Sequence, residues 1–157
     1  MSAHKPLEGV KVVELASFVA APTAGRMMAE MGADVIRVES TAGDPWRFYG
    51  ANCGLPITDE ENPLFDIYNL GKKDIQFNTK TPEGKEILFH LLDEADVFIT
   101  NNRLKSLVRS GLDYESLKDR FPKLIYGLVT GYGQTGPDVD APGYDGVAFF
   151  SRSGMLA

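Results

Sequence analysis

The 157 residues are 24% charged and 43% hydrophobic, an ordinary globular composition in a chain long enough to bury a core. A net charge of −6 without any stripe of Lys or Arg argues against a nucleic-acid partner, yet leaves room for a small polyanion held by local basic groups. Cys53 is the single cysteine, which excludes a disulfide framework and suits a reducing compartment. With no signal-like N-terminus and no apolar run of membrane-spanning length, the expectation is a cytoplasmic soluble domain without a membrane partner.

In chain order, Val10-Lys-Val-Val-Glu-Leu15 reads as a buried parallel strand. A turn through Ala16–Ala21 leads to a helix starting at Pro22 and closed by Gly32, with Ala24, Met27, Met28 and Met31 spaced to face a sheet. Asp34–Glu39 is a second strand. From Ser40 to Leu70 periodicity is lost, and Gly43, Pro45, Gly50, Gly54, Pro56 and Pro63 punctuate a long excursion. Trp46, Phe48, Tyr49, Phe65 and Tyr68 make that stretch too aromatic for a solvated linker, so it is expected to wrap over the surface or pack on a partner.

Asp74–Asn78 is a short third strand. Thr81 caps a helix with Pro82 at its first position, and Ile87, Leu88, Leu91, Leu92 and Ala95 form its apolar stripe. His90 is a boundary residue with no ligand partner at metal spacing. Asp96–Thr100 is a fourth strand, left through Asn101-Asn102-Arg103. A helix over Leu104–Ser110 stops at Gly111, and another capped by Asp113 runs through Arg120. Leu124–Val129 is the fifth strand. Beyond it, Thr130–Asp145 is broken by glycine and proline, and Gly146–Phe150 starts a helix or a packed segment. The alternation predicts residues 1–157 as a single α/β, Rossmann-like domain, an open parallel sheet with helices on both faces.

Such sheets bind ligands at the C-terminal ends of their strands. A dinucleotide is excluded by the first turn, Ala16–Pro22, which lacks the glycines that close approach to a pyrophosphate requires. The phosphate-loop lysine pattern is absent as well. Arg37, Lys80, Asn101, Asn102, Arg103 and Arg109 remain near strand ends, where basic groups suit nucleotide phosphates and arginine can stack on a base.

Several stretches together carry a family resemblance. They are Pro6–Leu15, Gly32-Ala-Asp-Val-Ile-Arg-Val-Glu39, Lys80-Thr-Pro-Glu-Gly84, Ala95-Asp-Val97 and Gly131-Tyr-Gly133. The chain resembles the class III CoA-transferases, the group of the formyl-CoA and carnitine CoA-transferases, over nearly its whole length. Gly43-Asp-Pro45 and Gly131–Pro137 are most similar to the members acting on 2-hydroxyacyl groups in amino-acid fermentation, such as 2-hydroxyisocaproyl-CoA and phenyllactate CoA-transferases.

The resemblance implies that coenzyme A lies across the strand ends as a substrate, with no covalently bound cofactor and no metal. Val19 and Ala20 would give it backbone and apolar contact. Phe77–Lys80 and Asn101–Arg103 would hold its adenosine and pantetheine parts, and Arg109 its phosphates. Where some members carry an arginine beside the adenine, this chain has Ser40, and Arg37 is the expected substitute. The family uses an aspartate nucleophile and passes through an aspartyl-CoA thioester. That aspartate falls beyond Ala157 by resemblance, which implies an N-terminal fragment without a catalytic residue of its own. The expected partners are a CoA thioester, a small carboxylic acid and, in the intact protein, an interlocked second copy of the chain, with Ser40–Leu70 at the interface.

Asp138 and Asp140 read as solvated turn residues and Asp145 as a cap. Two alternatives stand beside the transferase. A racemase of the same fold family would need a histidine base where this chain has Tyr144, in Gly143-Tyr144-Asp145, so Tyr144 disfavours it and is expected to wall an acyl pocket. A non-catalytic CoA-binding domain is the other.

Overall fold

The computed structural model describes residues 4–155. The five strands are β1 (Lys11–Leu15), β2 (Asp34–Glu39), β3 (Lys73–Gln76), β4 (Val97–Thr100) and β5 (Ile125–Leu128). They form one all-parallel sheet in the order β3-β2-β1-β4-β5, as the alternating pattern predicted. Val13 lies beside Ile36 of β2 and Phe98 of β4, so β1 is the central strand and the chain reverses direction across the sheet between β1 and β4. That reversal leaves a crevice at the C-terminal strand ends.

Alternation along β1 sends its side chains to two cores. Val12 and Ala16 pack with Ala21, Ala33, Val35 and Ile99 beneath α1 (Ala20–Glu30). Val13 and Leu15 pack with Phe98 and with helix side chains on the other face. The helices α4 (Pro82–Glu94), α5 (Leu104–Ser110) and α6 (Tyr114–Leu117) contribute Leu88, Leu92, Leu107 and Leu117, all at most 2% exposed. Each such side chain contributes about 1.5–3 kcal/mol of apolar burial. Thr81 caps α4 by accepting the Gly84 N–H at 3.1 Å, and Asp113 caps α6 by accepting the Ser116 N–H at 3.3 Å.

Some boundaries differ from the predicted ones. The first helix begins at Ala20, two residues before Pro22, because the first turn of a helix needs no proline N–H. Met27 and Met31 point outward, 53% and 38% exposed, and the buried face of α1 is Ala21, Pro22 and Gly25 instead. Only small residues fit there, since a Cβ at Gly25 would lie 1.8 Å from the Glu14 carboxylate. Ile87, expected in the apolar stripe of α4, is exposed, and half-buried Phe89 packs against the core in its place. The last predicted helix ends at Leu117 rather than Arg120.

The Ser40–Leu70 excursion is not featureless. It holds α2 (Trp46–Tyr49), a 3-10 turn at Gly50–Cys53 and α3 (Pro63–Asn69), which packs on α1. Asn62 caps α3 by accepting the Phe65 N–H at 3.3 Å. Gly146–Ser151 forms a single wide helical turn capped by Asp145.

Candidate functional site

The three central strands expire together, and their exits enclose a cavity of about 570 Å³. Leu15, Ala16 and Ser17 line it from β1, Val38 to Ser40 from β2, and Asn102 follows β4. Gly43 and Asp44 enter from the excursion, Thr79 and Lys80 from the turn before α4, Lys85 from α4 itself, and Ser106, Leu107, Arg109, Ser110 and Leu112 from α5 and its exit. This volume is in the range of small-molecule and cofactor sites.

Three cations of different origin converge there. Lys80 sits in the turn before α4, its backbone N–H donated to Asn78 Oδ1 at 3.1 Å. Lys85 lies one turn into α4, with its ammonium 5.5 Å from the Phe89 ring centre. Arg109 extends from the last turn of α5 and is exposed. Gly84 lets the α4 terminus close tightly, since a Cβ there would lie 2.0 Å from the Asn78 carbonyl oxygen. The combination of three cations with hydroxyls from Ser40, Ser106 and Ser110 suits an anionic ligand with several phosphates.

Of the residues singled out in the sequence, Lys80, Asn102 and Arg109 therefore line one cavity. Others do not. Arg37 requires a correction: its side chain is 0% exposed and does not reach the cavity. Its guanidinium instead meets Glu39 and Asp44 in very short contacts, Asp74 at 3.1 Å and Glu14 at 3.3 Å, the last without a well-directed hydrogen bond. An arginine on the α1 face of a central strand is enclosed by the helices above it, and only carboxylates can make that enclosure tolerable. Arg37 is thus no substitute for an adenine-side arginine.

Asn101 is half-buried, with its amide turned onto the β1 exit. It accepts the Ser17 N–H at 3.0 Å and donates to the Ser17 carbonyl at 2.7 Å. Phe77 packs its ring against the α4–α6 core. Val19 and Ala20 begin α1 and Arg103 precedes α5, all outside the cavity lining. Tyr144 is 56% exposed and packs edge-on against Phe18, 5.8 Å between ring centres. It is brought back to the β1 exit because Gly131 and Gly143 meet backbone to backbone, where a Cβ on either would come within 2.4 Å of the other's Cα. Asp138 pairs with exposed Arg152 at 2.9 Å, as a solvated turn residue does.

The Arg37 cluster continues beyond the cavity wall. Arg47 of α2 donates to both Glu39 oxygens, at 3.0 and 2.9 Å, and lies over the Phe65 ring at 3.8 Å. Lys72 donates to Glu14 at 2.8 Å, to the Pro22 carbonyl at 2.8 Å and to Asn69 at 3.1 Å. Burial pushes the Glu14 carboxyl up despite Lys72 and Arg37, and burial pulls the Lys72 ammonium down. Glu39 behaves oppositely: burial works against its charge, but Arg47 and Arg37 outweigh it and hold the carboxyl below its usual range.

Sequence reasoning missed Lys85, Asp44 and the serines of α5. Lys85 carried a signal, because a cation one turn from a helix N-terminus opposes the helix dipole and needs another reason to be there. Asp44 had only its place between Gly43 and Pro45. Nothing in α5 marked Ser106 over any other exposed serine.

The family model described as CoA-transferase family III matches residues 7–157. Over 147 residues the chain is 53% identical to cinnamoyl-CoA:phenyllactate CoA-transferase of Clostridium sporogenes, covering 94% of this chain and 36% of that protein. It is 47% identical to (R)-2-hydroxy-4-methylpentanoate CoA-transferase of Clostridioides difficile, covering 95% and 37%. A crystal structure of a CAIB/BAIF family protein from Brucella suis superposes with a TM-score of 0.87 at 42% identity, covering 98% of this chain and 40% of that one. The chain thus spans a little over a third of the length of these curated relatives. It belongs to CoA-transferase family III.

Proposed function

We propose that this chain forms the CoA-binding part of an enzyme that moves CoA between an acyl-CoA and a small carboxylic acid, a 2-hydroxy acid of amino-acid fermentation. The observation that carries this reading is the cavity at the strand ends, where Lys80, Lys85 and Arg109 face one space from three separate elements. Their charges would hold the phosphates of CoA, and the serine hydroxyls would complete the oxygen contacts. The names of the two curated relatives support the acid class.

The proposed chemistry is covalent. An aspartate carboxylate attacks the thioester carbonyl and expels the CoA thiolate, leaving an acyl-aspartyl anhydride. The thiolate then attacks the aspartyl carbonyl, releasing the first acid and forming an aspartyl-CoA thioester. The incoming carboxylate reverses both steps and leaves with CoA. None of Asp138, Asp140 or Asp145 is suited to that nucleophile. Asp138 is half-buried and ion-paired to Arg152, and Asp145 caps the turn that follows it. The nucleophile would come from sequence beyond these residues, in a cytoplasmic homodimer, and these residues alone would be inactive as a transferase.

CoA titrated into the protein by calorimetry is expected to bind, and 3′-phosphoadenosine diphosphate to compete with it. No binding of either would overturn the reading. In the full-length enzyme, deuterium exchange at the α-carbon of a chiral acyl-CoA without any acid acceptor would instead assign a racemase.

A further inference from the structure

The turn between β1 and α1 is held at Leu15, Ser17 and Phe18 from neighbouring elements. The Leu15 carbonyl accepts the Thr100 hydroxyl at 2.7 Å. Ser17 is held at both its N–H and its carbonyl by the Asn101 amide. The Phe18 N–H is shared between the two carboxylate oxygens of Asp44, at 3.2 and 3.1 Å. Asp44 is 1% exposed, also accepts the Trp46 N–H at 2.9 Å, and pairs with Arg37.

All this surrounds an unfavourable backbone. Phe18 has φ +62°, the one non-glycine with positive φ among the described residues. A phenylalanine rarely occupies the left-handed region, and it persists there only where its surroundings over-determine it. The residues around it belong to the candidate site. Ala16 and Ser17 line the cavity, and the Phe18 ring contacts Trp46 and Tyr144.

We propose that Asp44 and Asn101 are positioning residues that force the Ser17–Phe18 turn into its left-handed shape, and that CoA binding depends on this shape. Neither acts as a ligand contact in this role. Both Asp44 oxygens are occupied by Phe18, Trp46 and Arg37, and both ends of the Asn101 amide by Ser17. Without either clamp Phe18 relaxes to negative φ, which turns its peptide plane beside Ala16 and Ser17 and withdraws its ring from Trp46. The proposal rests on the CoA reading of the cavity.

Trp46 is the sole tryptophan and reports on this corner, so its fluorescence can follow a CoA titration. Asp44→Asn and Asn101→Ala are each expected to weaken CoA binding about tenfold. In a Phe18→Gly background, where the left-handed conformation carries no steric penalty, the same substitutions should weaken it less than about threefold. Circular dichroism confirms folding of each variant. If Asp44→Asn does not fold, Asn101→Ala in the two backgrounds decides. Equal losses in both backgrounds, or losses under about twofold in folded variants, overturn the positioning role while leaving the CoA reading intact. Wild-type protein that binds no CoA overturns both.

Discussion

The molecule carries two sets of basic residues around the same strand ends, and they do opposite things. Arg37, Arg47 and Lys72 are surrounded by Glu14, Glu39, Asp44 and Asp74 on the α1 side of the sheet. Lys80, Lys85 and Arg109 line the cavity on the other side and meet no carboxylate among the described ion pairs. The first set is consumed by the fold: it fastens the Ser40–Leu70 excursion to β1, β2 and β3. The second keeps its charge available to a ligand. A basic residue near a strand end is therefore informative only once its pleat direction is known, since the covered face demands internal carboxylates and the open crevice does not.

Substitutions that treat the two sets alike should separate them. Arg37→Leu leaves several carboxylates without their shared cation, and is expected to cost about 3–5 kcal/mol or to prevent folding, measured by denaturant unfolding. A stability loss below about 1 kcal/mol would break the contrast. Gly25→Ala attacks the same cluster sterically, because the new methyl group meets the Glu14 carboxylate. The expected loss is about 1–3 kcal/mol, with the thermal midpoint as the measurement.

Glu39 sharpens the comparison through pH. Its folded carboxyl lies below the usual 4.5, because the pull of Arg47 and Arg37 exceeds the effect of burial. A depressed carboxyl contributes stability above 4.5 that is lost as the pH falls through the folded value. Glu39→Gln should thus be less stable than wild type at neutral pH, and the gap should close on acidification. A gap that widens in acid would contradict the assignment. The smallest effect on stability belongs to the open set. Arg109→Ala is expected to change unfolding free energy by less than about 0.5 kcal/mol, while weakening CoA about tenfold in calorimetry.

Much of the fold was legible because it depends on local signals. Thr81-Pro82 and Asp113 announce helix starts, Gly32 and Gly111 take φ of +103° and +67° after helices, and the apolar runs alternate with them. The family was legible too, through motifs spread along most of the chain. Lys80, Asn102 and Arg109 could be placed near strand ends from the element order alone. The misreadings share one origin. Met27 and Met31 matched a helical period, but the sheet-facing side of α1 must accommodate Glu14, and only small residues do. Arg37 was near a strand end, but its pleat direction turned it into the covered side.

The sequence by itself determined the parallel α/β architecture, the opening of a crevice at the strand ends and the membership of the family, since periodicity, capping and motif spacing are properties of neighbours along the chain. Only the tertiary structure decided which charges are internal partners and which face the cavity. It also revealed that the Ser17–Phe18 turn is held by Asp44, 26 residues from Phe18, and by Asn101, 84 residues from Ser17. Those outcomes depend on what folds over each side chain, and burial, desolvation and long-range hydrogen bonds are set by contacts that no local pattern encodes.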